Sequence, residues 1–170
     1  MKALAAFFVI FGLTFFIIVG ASVAVKHIQF NQDCGGYLER AANANTIPMA
    51  ITELEKAVKY MEEHDLTEGY TSVFYKTPDE DIGFWYNNCK SSLNELKSLS
   101  DSSAPLEKSN MLMKLRETLL DNGKNGTSLT VPKGISRYPN NVMWGVLSVL
   151  SLLGLVCVLF GGLYIINNWY

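Results

Sequence analysis

The sequence predicts an all-α membrane protein in which two transmembrane helices flank a small antiparallel bundle of three to four helices. Residues 3–25 and 142–166 are apolar and contain no charged side chain. Every charged residue except Lys2 lies between these two stretches. The intervening segment repeats its apolar residues at helical spacing. These features exclude a large soluble catalytic fold such as a Rossmann sheet or a barrel.

The first apolar stretch, residues 3–25, predicts an uncleaved signal anchor. At about 1.5 Å per residue it reaches roughly 34 Å, enough for a hydrocarbon core of about 30 Å. Cleavage after Ala24 is the alternative, because Ser22 and Ala24 are small. The apolar run exceeds the 7–15 residues, roughly, of a usual signal core, which favours the anchor.

The second stretch, residues 142–166, predicts a second transmembrane helix with a membrane packing face. Its small residues recur on one side of the helix, at Ser151, Gly154, Cys157 and Gly161. Small side chains let another helix approach closely within lipid. The alternative is the general richness of membrane helices in glycine. The first stretch offers Gly12 and Gly20 but is dominated by phenylalanine.

The charge pattern bears on topology and on transport. Neither apolar stretch contains an ionisable residue, which makes a transport pathway through them improbable. Basic residues near the stretches favour a cytoplasmic central domain, but that rule applies to loops shorter than about 60 residues. A short head carrying Lys2 favours the opposite arrangement. We therefore expect both termini in the cytoplasm and a periplasmic or otherwise extracytoplasmic central domain.

The central domain, residues 26–123, shows four helical patterns. Residues 31–43 form the weakest, because Gly35-Gly36 interrupts them, and residues 48–65 form a clear amphipathic helix that we expect Gly69 to end. The third begins with Thr77 as a cap, Pro78 in the first turn and Glu80 completing a capping box.

The fourth helix is predicted from Pro105 to Asp121, with Asn122-Gly123 as its stop signal. Residues 124–141 are rich in glycine, serine, threonine and asparagine and contain two prolines, which predicts a polar tether. A core of this size is marginal, so one covalent cross-link would help to stabilise it.

The arrangement of two spans around a helical domain resembles the four-helix ligand-binding module of bacterial chemoreceptors and sensor kinases. The resemblance lies in the architecture and implies a ligand-sensing role. Only residues 167–170 follow the second span, so we expect no output domain in this chain. A sensor of this kind would act through a partner.

Two cysteines, Cys34 and Cys89, lie in the predicted domain and form a disulfide candidate. Closing the loop between them would contribute roughly 3–4 kcal/mol on the chain-entropy model. The alternative is a pair of ordinary buried thiols. Cys157 lies in the second span, where a small packing residue is expected.

An aromatic segment is the strongest candidate for partner binding. Trp85 falls on the core side of the third helix, whereas its neighbours point elsewhere. Amphipathic aromatic side chains are favoured at protein contact surfaces. The predicted partner-binding residues are Tyr70, Phe74, Tyr75, Phe84 and Tyr86. The alternative is that this segment folds over and completes a local core.

The sequence favours no catalytic, cofactor or metal site. The run Glu62-Glu63-His64-Asp65 has ligand chemistry, but adjacent helical residues diverge, so a solvated helix end is expected. Zinc-protease, paired-cysteine, P-loop and nucleophile-elbow motifs are absent from the sequence.

The expected function is that of a non-enzymatic structural or accessory subunit of a membrane assembly. Its partners would be other membrane subunits or copies of itself, together with the lipid bilayer, and no nucleic acid. The alternatives are a ligand-sensing or adaptor module and a viral envelope protein.

Overall fold

The computed structural model describes residues 2–72, 76–99, 103–123, 126–135 and 142–167. The chain divides into two compact units. One contains the two terminal apolar segments, and the other is the central domain His27–Asn140.

The described residues are mostly helical. The helices are α1 Lys2–Phe30, α2 Gly36–Ala42, α3 Ile47–Glu63, α4 Ile82–Ser98, α5 Pro105–Leu119 and α6 Val142–Asn167. A π-helical segment, Asn31–Gly35, joins α1 to α2, and a 3-10 turn, Pro78–Glu80, precedes α4. Two short antiparallel strands, β1 Leu120–Gly123 and β2 Gly126–Leu129, form a hairpin. The predicted helical character is confirmed, but the class is not purely α because of this hairpin.

Two helices are long and apolar enough to cross a membrane. One candidate span lies within the continuous helical run Ala3–Ala42, and the other is Gly145–Asn167. Their large apolar side chains are mostly exposed, as in Phe11 and Phe160. Exposed apolar surface of this extent suits lipid and would be unfavourable in water.

The first domain helix is not interrupted by its two glycines. Gly35 and Gly36 both have right-handed helical dihedral angles, so the helix continues through them. An added Cβ at Gly35 would meet Asn31 Oδ1 at 3.4 Å and Leu129 Cδ2 at 3.6 Å. These are ordinary van der Waals distances, so the contact of Gly35 with β2 would also accept a small side chain.

Helix α3 begins where expected and ends earlier than predicted. The Thr46 hydroxyl accepts a hydrogen bond from the Met49 amide at 3.4 Å and caps the helix. The helix ends at Glu63, and Asp65 has a positive φ of 55°. The helix therefore ends before Gly69, because an aspartate can occupy the left-handed region with a small penalty. Gly69 has a positive φ of 88° within the loop that follows.

The start of α4 corrects the capping prediction. The Glu80 carboxylate accepts hydrogen bonds from the Thr77 amide at 3.3 Å and hydroxyl at 2.9 Å. This box encloses the 3-10 turn and not the α-helix. Asp81 is the cap of α4, since its carboxylate accepts from the Phe84 amide at 2.9 Å.

The predicted polar tether is folded over its described residues 126–135. Helix α5 ends at Leu119, and Asn122-Gly123 lies in the hairpin instead of ending the helix. After β2, the Thr130 amide donates to the Leu119 carbonyl at 2.8 Å. Ile135 is buried and Val131 packs against the core, so apolar contacts hold this segment on the domain.

The domain core lies where α2, α3, α4 and α5 contact one another. The buried apolar side chains of these helices form one cluster. Its largest fully buried side chains include Leu38, Leu54, Met61, Ile82, Leu96 and Leu115. Burying each one fully contributes about 1.5–3 kcal/mol relative to exposure.

Candidate functional site

Two residues of the predicted membrane packing face, Gly154 and Gly161, contact the chain's own first helix. A Cβ built at Gly161 would lie 2.9 Å from Val9 Cγ2 and 3.2 Å from the Ala5 carbonyl oxygen. A Cβ built at Gly12 would lie 2.7 Å from the Gly154 carbonyl oxygen. The helix that approaches these glycines is therefore α1.

The other two members of that face lie differently. The Ser151 hydroxyl donates to the Leu147 carbonyl at 2.8 Å within its own helix. Cys157 is exposed and, together with Phe8, lines two shallow apolar cavities of about 350 and 230 Å³. Both cavities lie within the unit formed by the two terminal helices, and their apolar linings match the hydrocarbon of a bilayer.

Trp85 occupies the core position expected of it. It is only 6% exposed, and its ring centroid lies 6.4 Å from that of Phe30. Its indole N–H donates to the Thr130 carbonyl oxygen at 3.0 Å. Trp85 thus joins α4 to the end of α1 and to the segment after β2.

The predicted partner-binding residues separate into exposed and engaged groups. Phe84 is 66% exposed at the start of α4, and Tyr86 is half-buried. Tyr70 is half-buried, bridges Asp81 through its backbone, and has the Lys76 ammonium 5.6 Å from its ring centroid. The two remaining predictions, Phe74 and Tyr75, lie outside the described residues.

Tyr86 belongs to a charged network between α3 and α4. Its hydroxyl donates to Glu62 Oε1 at 2.8 Å, and the Lys90 ammonium donates to the same oxygen. The Lys90 hydrogen bond lowers the pKa of Glu62 and, reciprocally, raises the pKa of Lys90. The pKa of the Tyr86 phenol is raised mainly by desolvation and secondly by its hydrogen bond to Glu62. The tyrosine is therefore oriented with one edge toward the charged network.

The two domain cysteines are free thiols in the structure, which does not support the predicted Cys34–Cys89 disulfide. Both side chains are fully buried. Cys34 Sγ lies 4.0 Å from the Ala57 carbonyl oxygen, facing α3. Burial raises the pKa of the Cys89 thiol to about 12. A buried thiol of this kind is a poor nucleophile and packs as a small apolar group.

A buried carboxylate, that of Glu53, lies between α2 and α3. The sequence around Glu53 does not distinguish it from the exposed glutamates of the same helix. Its side chain is 10% exposed, with Oε2 3.0 Å from Arg40 Nε and Oε1 3.0 Å from Lys56 Nζ. The Lys56 ammonium also lies 5.1 Å from the Tyr37 ring centroid. The two cations neutralise the buried charge, but among the described residues no group donates a hydrogen bond to Glu53 Oε2.

The segment after β2 supplies contacts that the tether prediction missed. Lys133 Nζ lies 2.6 Å from Asp79 Oδ2, and the Lys133 amide donates to the Asp79 carbonyl at 3.2 Å. The Thr71 hydroxyl donates to the Lys133 carbonyl. The prolines and glycines of this segment indicate a loop, but they do not show that the loop contacts the domain.

A groove of about 840 Å³ lies among the ends of three helices in the domain. It is formed by the start of α3, the end of α4 and the start of α5, and we call it the α3–α5 groove. Its apolar lining includes Ile51, Leu99 and Leu112, and the charged residues of its lining within the described part of the chain are Lys97 and Lys108. No sequence motif marks it, because its residues come together only through tertiary packing.

Across the described ranges, no cluster of three or more histidine, cysteine, aspartate or glutamate side chains is suited to hold a metal ion. No family model matches the chain, and neither a curated protein nor a solved structure matches it.

Proposed function

We propose that this chain is a non-enzymatic integral membrane protein that serves as a structural or accessory subunit of a larger membrane assembly. Its two apolar helices would sit in the bilayer, and its helical bundle would dock on another membrane protein or on a second copy. The observation that carries the proposal is Phe84, which is 66% exposed beside the anchored Trp85.

Phe84 suits a contact surface because its position is rigid. The Asp81 cap and the Trp85 indole, bonded to Thr130, fix the first turn of α4. A large apolar side chain on a fixed backbone loses less conformational entropy on binding than one on a mobile loop. The half-buried Tyr86 adds an amphipathic ring on the same helix, as is common at interfaces.

The proposed topology places both termini in the cytoplasm, the domain on the extracytoplasmic side, and the first helix as an uncleaved anchor. The length of the central segment supports this, because it exceeds the roughly 60 residues over which the positive-inside rule would favour a cytoplasmic domain. A cysteine introduced at Lys59, whose side chain is 74% exposed, should react with an impermeant maleimide in intact cells. Reaction only after permeabilisation would invert the proposed orientation.

The subunit proposal is tested by gentle extraction of the full chain from its native membrane and native mass measurement. Wild-type protein should run as a complex of defined stoichiometry. Phe84→Ala should reduce the complex at least tenfold without changing the helical content. Met113→Ala, which truncates another exposed apolar residue, is the matched control and should not reduce it.

Two outcomes separate folding from docking. Trp85→Ala should unfold the domain, since the indole is buried and hydrogen-bonded. A wild-type protein that is monomeric after extraction, with Phe84→Ala unchanged, would contradict the proposal.

A further inference from the structure

One side of α4 is exposed and uncharged along the length of the helix. Its residues recur three and four positions apart, which places them on one face. We call this surface the α4 face, and it consists of Phe84, Asn87, Ser91, Asn94 and Ser98. The remaining exposed residue of α4 is Lys97, which lies toward α3 with its ammonium 2.6 Å from Glu55 Oε1.

The charged side chains of α4 are all engaged with neighbouring helices. The helix has three of them, and each forms an ion pair with α3 or α5. The pairs are Lys90 with Glu62, Lys97 with Glu55, and Glu95 with Lys114. The charges of α4 are therefore neutralised on its two flanks, and the α4 face between the flanks is uncharged.

The two other long helices of the domain expose charges of both signs. These exposed residues are Glu55, Lys56, Lys59, Glu62 and Glu63 on α3, and Glu107, Lys114, Arg116 and Glu117 on α5. The core of a protein interface is depleted of charged residues and enriched in aromatic ones. Among these three helices, the uncharged α4 face with Phe84 at one end has the composition that a contact surface needs.

The chemistry of the α4 face suits a second copy of the chain. A two-fold contact places each residue near the axis against the same residue of the other copy. A charged side chain there would meet a like charge, whereas an amide or a hydroxyl can both donate to and accept from its own kind. Asn87, Ser91 and Asn94 fill the middle of the face with such groups. A different protein would be selected through complementary charge, and the α4 face offers none for it to read.

We propose that the α4 face pairs with the α4 face of a second copy, with Ser91 nearest the two-fold axis and Phe84 toward one end of the contact. This inference rests on the proposed subunit role and names its partner. The contact is one helix wide, so it depends on the two bilayer helices of each copy, which concentrate the domains at one membrane surface.

The first test is disulfide cross-linking of the full chain in its native membrane. Ser91→Cys, in a Cys157→Ser background, should form a linked dimer on oxidation with copper phenanthroline. Asn110→Cys is the matched control, because Asn110 is an exposed polar residue of α5, and it should be linked at least fivefold less. Equal linkage of the two variants would mean random collision and would overturn the proposal.

A charge exchange tests whether the partner is the same chain. Two differently tagged copies are co-expressed, and one is recovered through the tag of the other. Ser91→Lys in both copies should lower the recovery at least fivefold, because it places like charges at the axis, and Ser91→Asp in both should do the same. Ser91→Lys in one copy with Ser91→Asp in the other should restore at least half of the wild-type recovery.

Controls and contrary outcomes separate this inference from the subunit role. Asn110→Lys in both copies should leave the recovery unchanged, and circular dichroism should show wild-type helical content in every variant. Failure of the mixed pair to restore recovery would overturn the pairing. A native complex that holds one copy bound to a different protein, and that Phe84→Ala disrupts, would overturn the pairing and leave the subunit role intact. A monomeric chain would overturn both.

Discussion

Gly12 and Gly154 meet asymmetrically where the two terminal helices contact each other. A Cβ added to Gly12 would lie 2.7 Å from the Gly154 carbonyl oxygen and 2.8 Å from Val158 Cγ2. A Cβ added to Gly154 would lie 3.7 Å from the nearest atom of Gly12, an ordinary van der Waals distance. The two glycines are therefore not equivalent, although both lie at the same contact.

This asymmetry predicts that Gly12→Ala destabilises the helix pair and Gly154→Ala does not. Overpacking against a backbone oxygen costs typically about 1–3 kcal/mol. The measurement is the distance between spin labels at positions 16 and 150, in a Cys157→Ser background, by electron paramagnetic resonance in bicelles. Gly12→Ala should lengthen or broaden the distance distribution.

The controls for the glycine prediction are Gly20→Ala and Gly162→Ala. An added Cβ at either glycine has no neighbour within 4 Å outside its own helix backbone. Both controls should preserve the wild-type distribution. If Gly12→Ala behaved like them, the close approach of the two helices would be wrong.

The start of α4 predicts a larger loss of stability for Asp81→Ala than for Thr77→Ala. Asp81 caps a helix of 17 residues, whereas Thr77 belongs to a turn of three. Loss of an N-cap costs about 0.5–2 kcal/mol. Unfolding of the full chain in mild detergent, followed by circular dichroism, measures both variants. The reverse order would restore Thr77 as the cap of α4.

The free thiols predict that three cysteines are alkylated when the protein is denatured without reductant. In the folded domain, Cys34 and Cys89 should resist a water-soluble maleimide because both are buried. Mass spectrometry counts the adducts in each state. A protein that gains two adducts only after reduction contains the disulfide that the sequence favoured.

Cys89 also predicts an alkaline loss of stability. Its folded-state pKa is raised to about 12, above the ordinary value of about 8.5 for an unfolded thiol. The unfolded chain therefore releases a proton first, so the stabilising contribution is complete below about 8.5 and falls as pH rises toward 12. Unfolding midpoints measured across this range should decline less steeply in Cys89→Ala.

The network of Glu62, Tyr86 and Lys90 predicts a small loss of unfolding free energy at acidic pH. Hydrogen bonding lowers the pKa of Glu62, so its contribution is present above the ordinary carboxyl pKa and is lost as pH falls through the lowered value. Glu62 and Lys90 are both solvent-exposed, which limits the contribution of their ion pair to the free energy of unfolding to roughly 0.2–1 kcal/mol. The free energy of unfolding at neutral pH should drop in Glu62→Gln and should match the wild type at strongly acidic pH.

The neighbouring carboxylate provides the control for this term. Glu63 is 58% exposed, and its oxygen lies 3.6 Å from Lys59 Nζ within α3. Glu63→Gln should change the unfolding free energy less than Glu62→Gln does. An equal effect of the two variants would show that the contact between α3 and α4 contributes nothing measurable.

The sequence alone determined the elements whose signals are local. Uncharged apolar runs identify the two terminal helices, because their composition is unfavourable in water over that length. Helical spacing placed Trp85 on the core side of its helix, and Trp85 is buried. Period and polarity are properties of neighbouring residues, so they are visible without a fold.

Tertiary structure decided which of several local signals takes effect. Thr77 and Asp81 are both good caps, and the bridge between Tyr70 and Asp81 selects the start of α4. Residues 126–135 have loop composition, yet the Trp85 indole and Asp79 hold them on the domain. The α3–α5 groove and the Gly12 contact join residues that are distant in the chain. Such contacts depend on how whole helices pack, and a local sequence pattern carries no information about which distant residues meet.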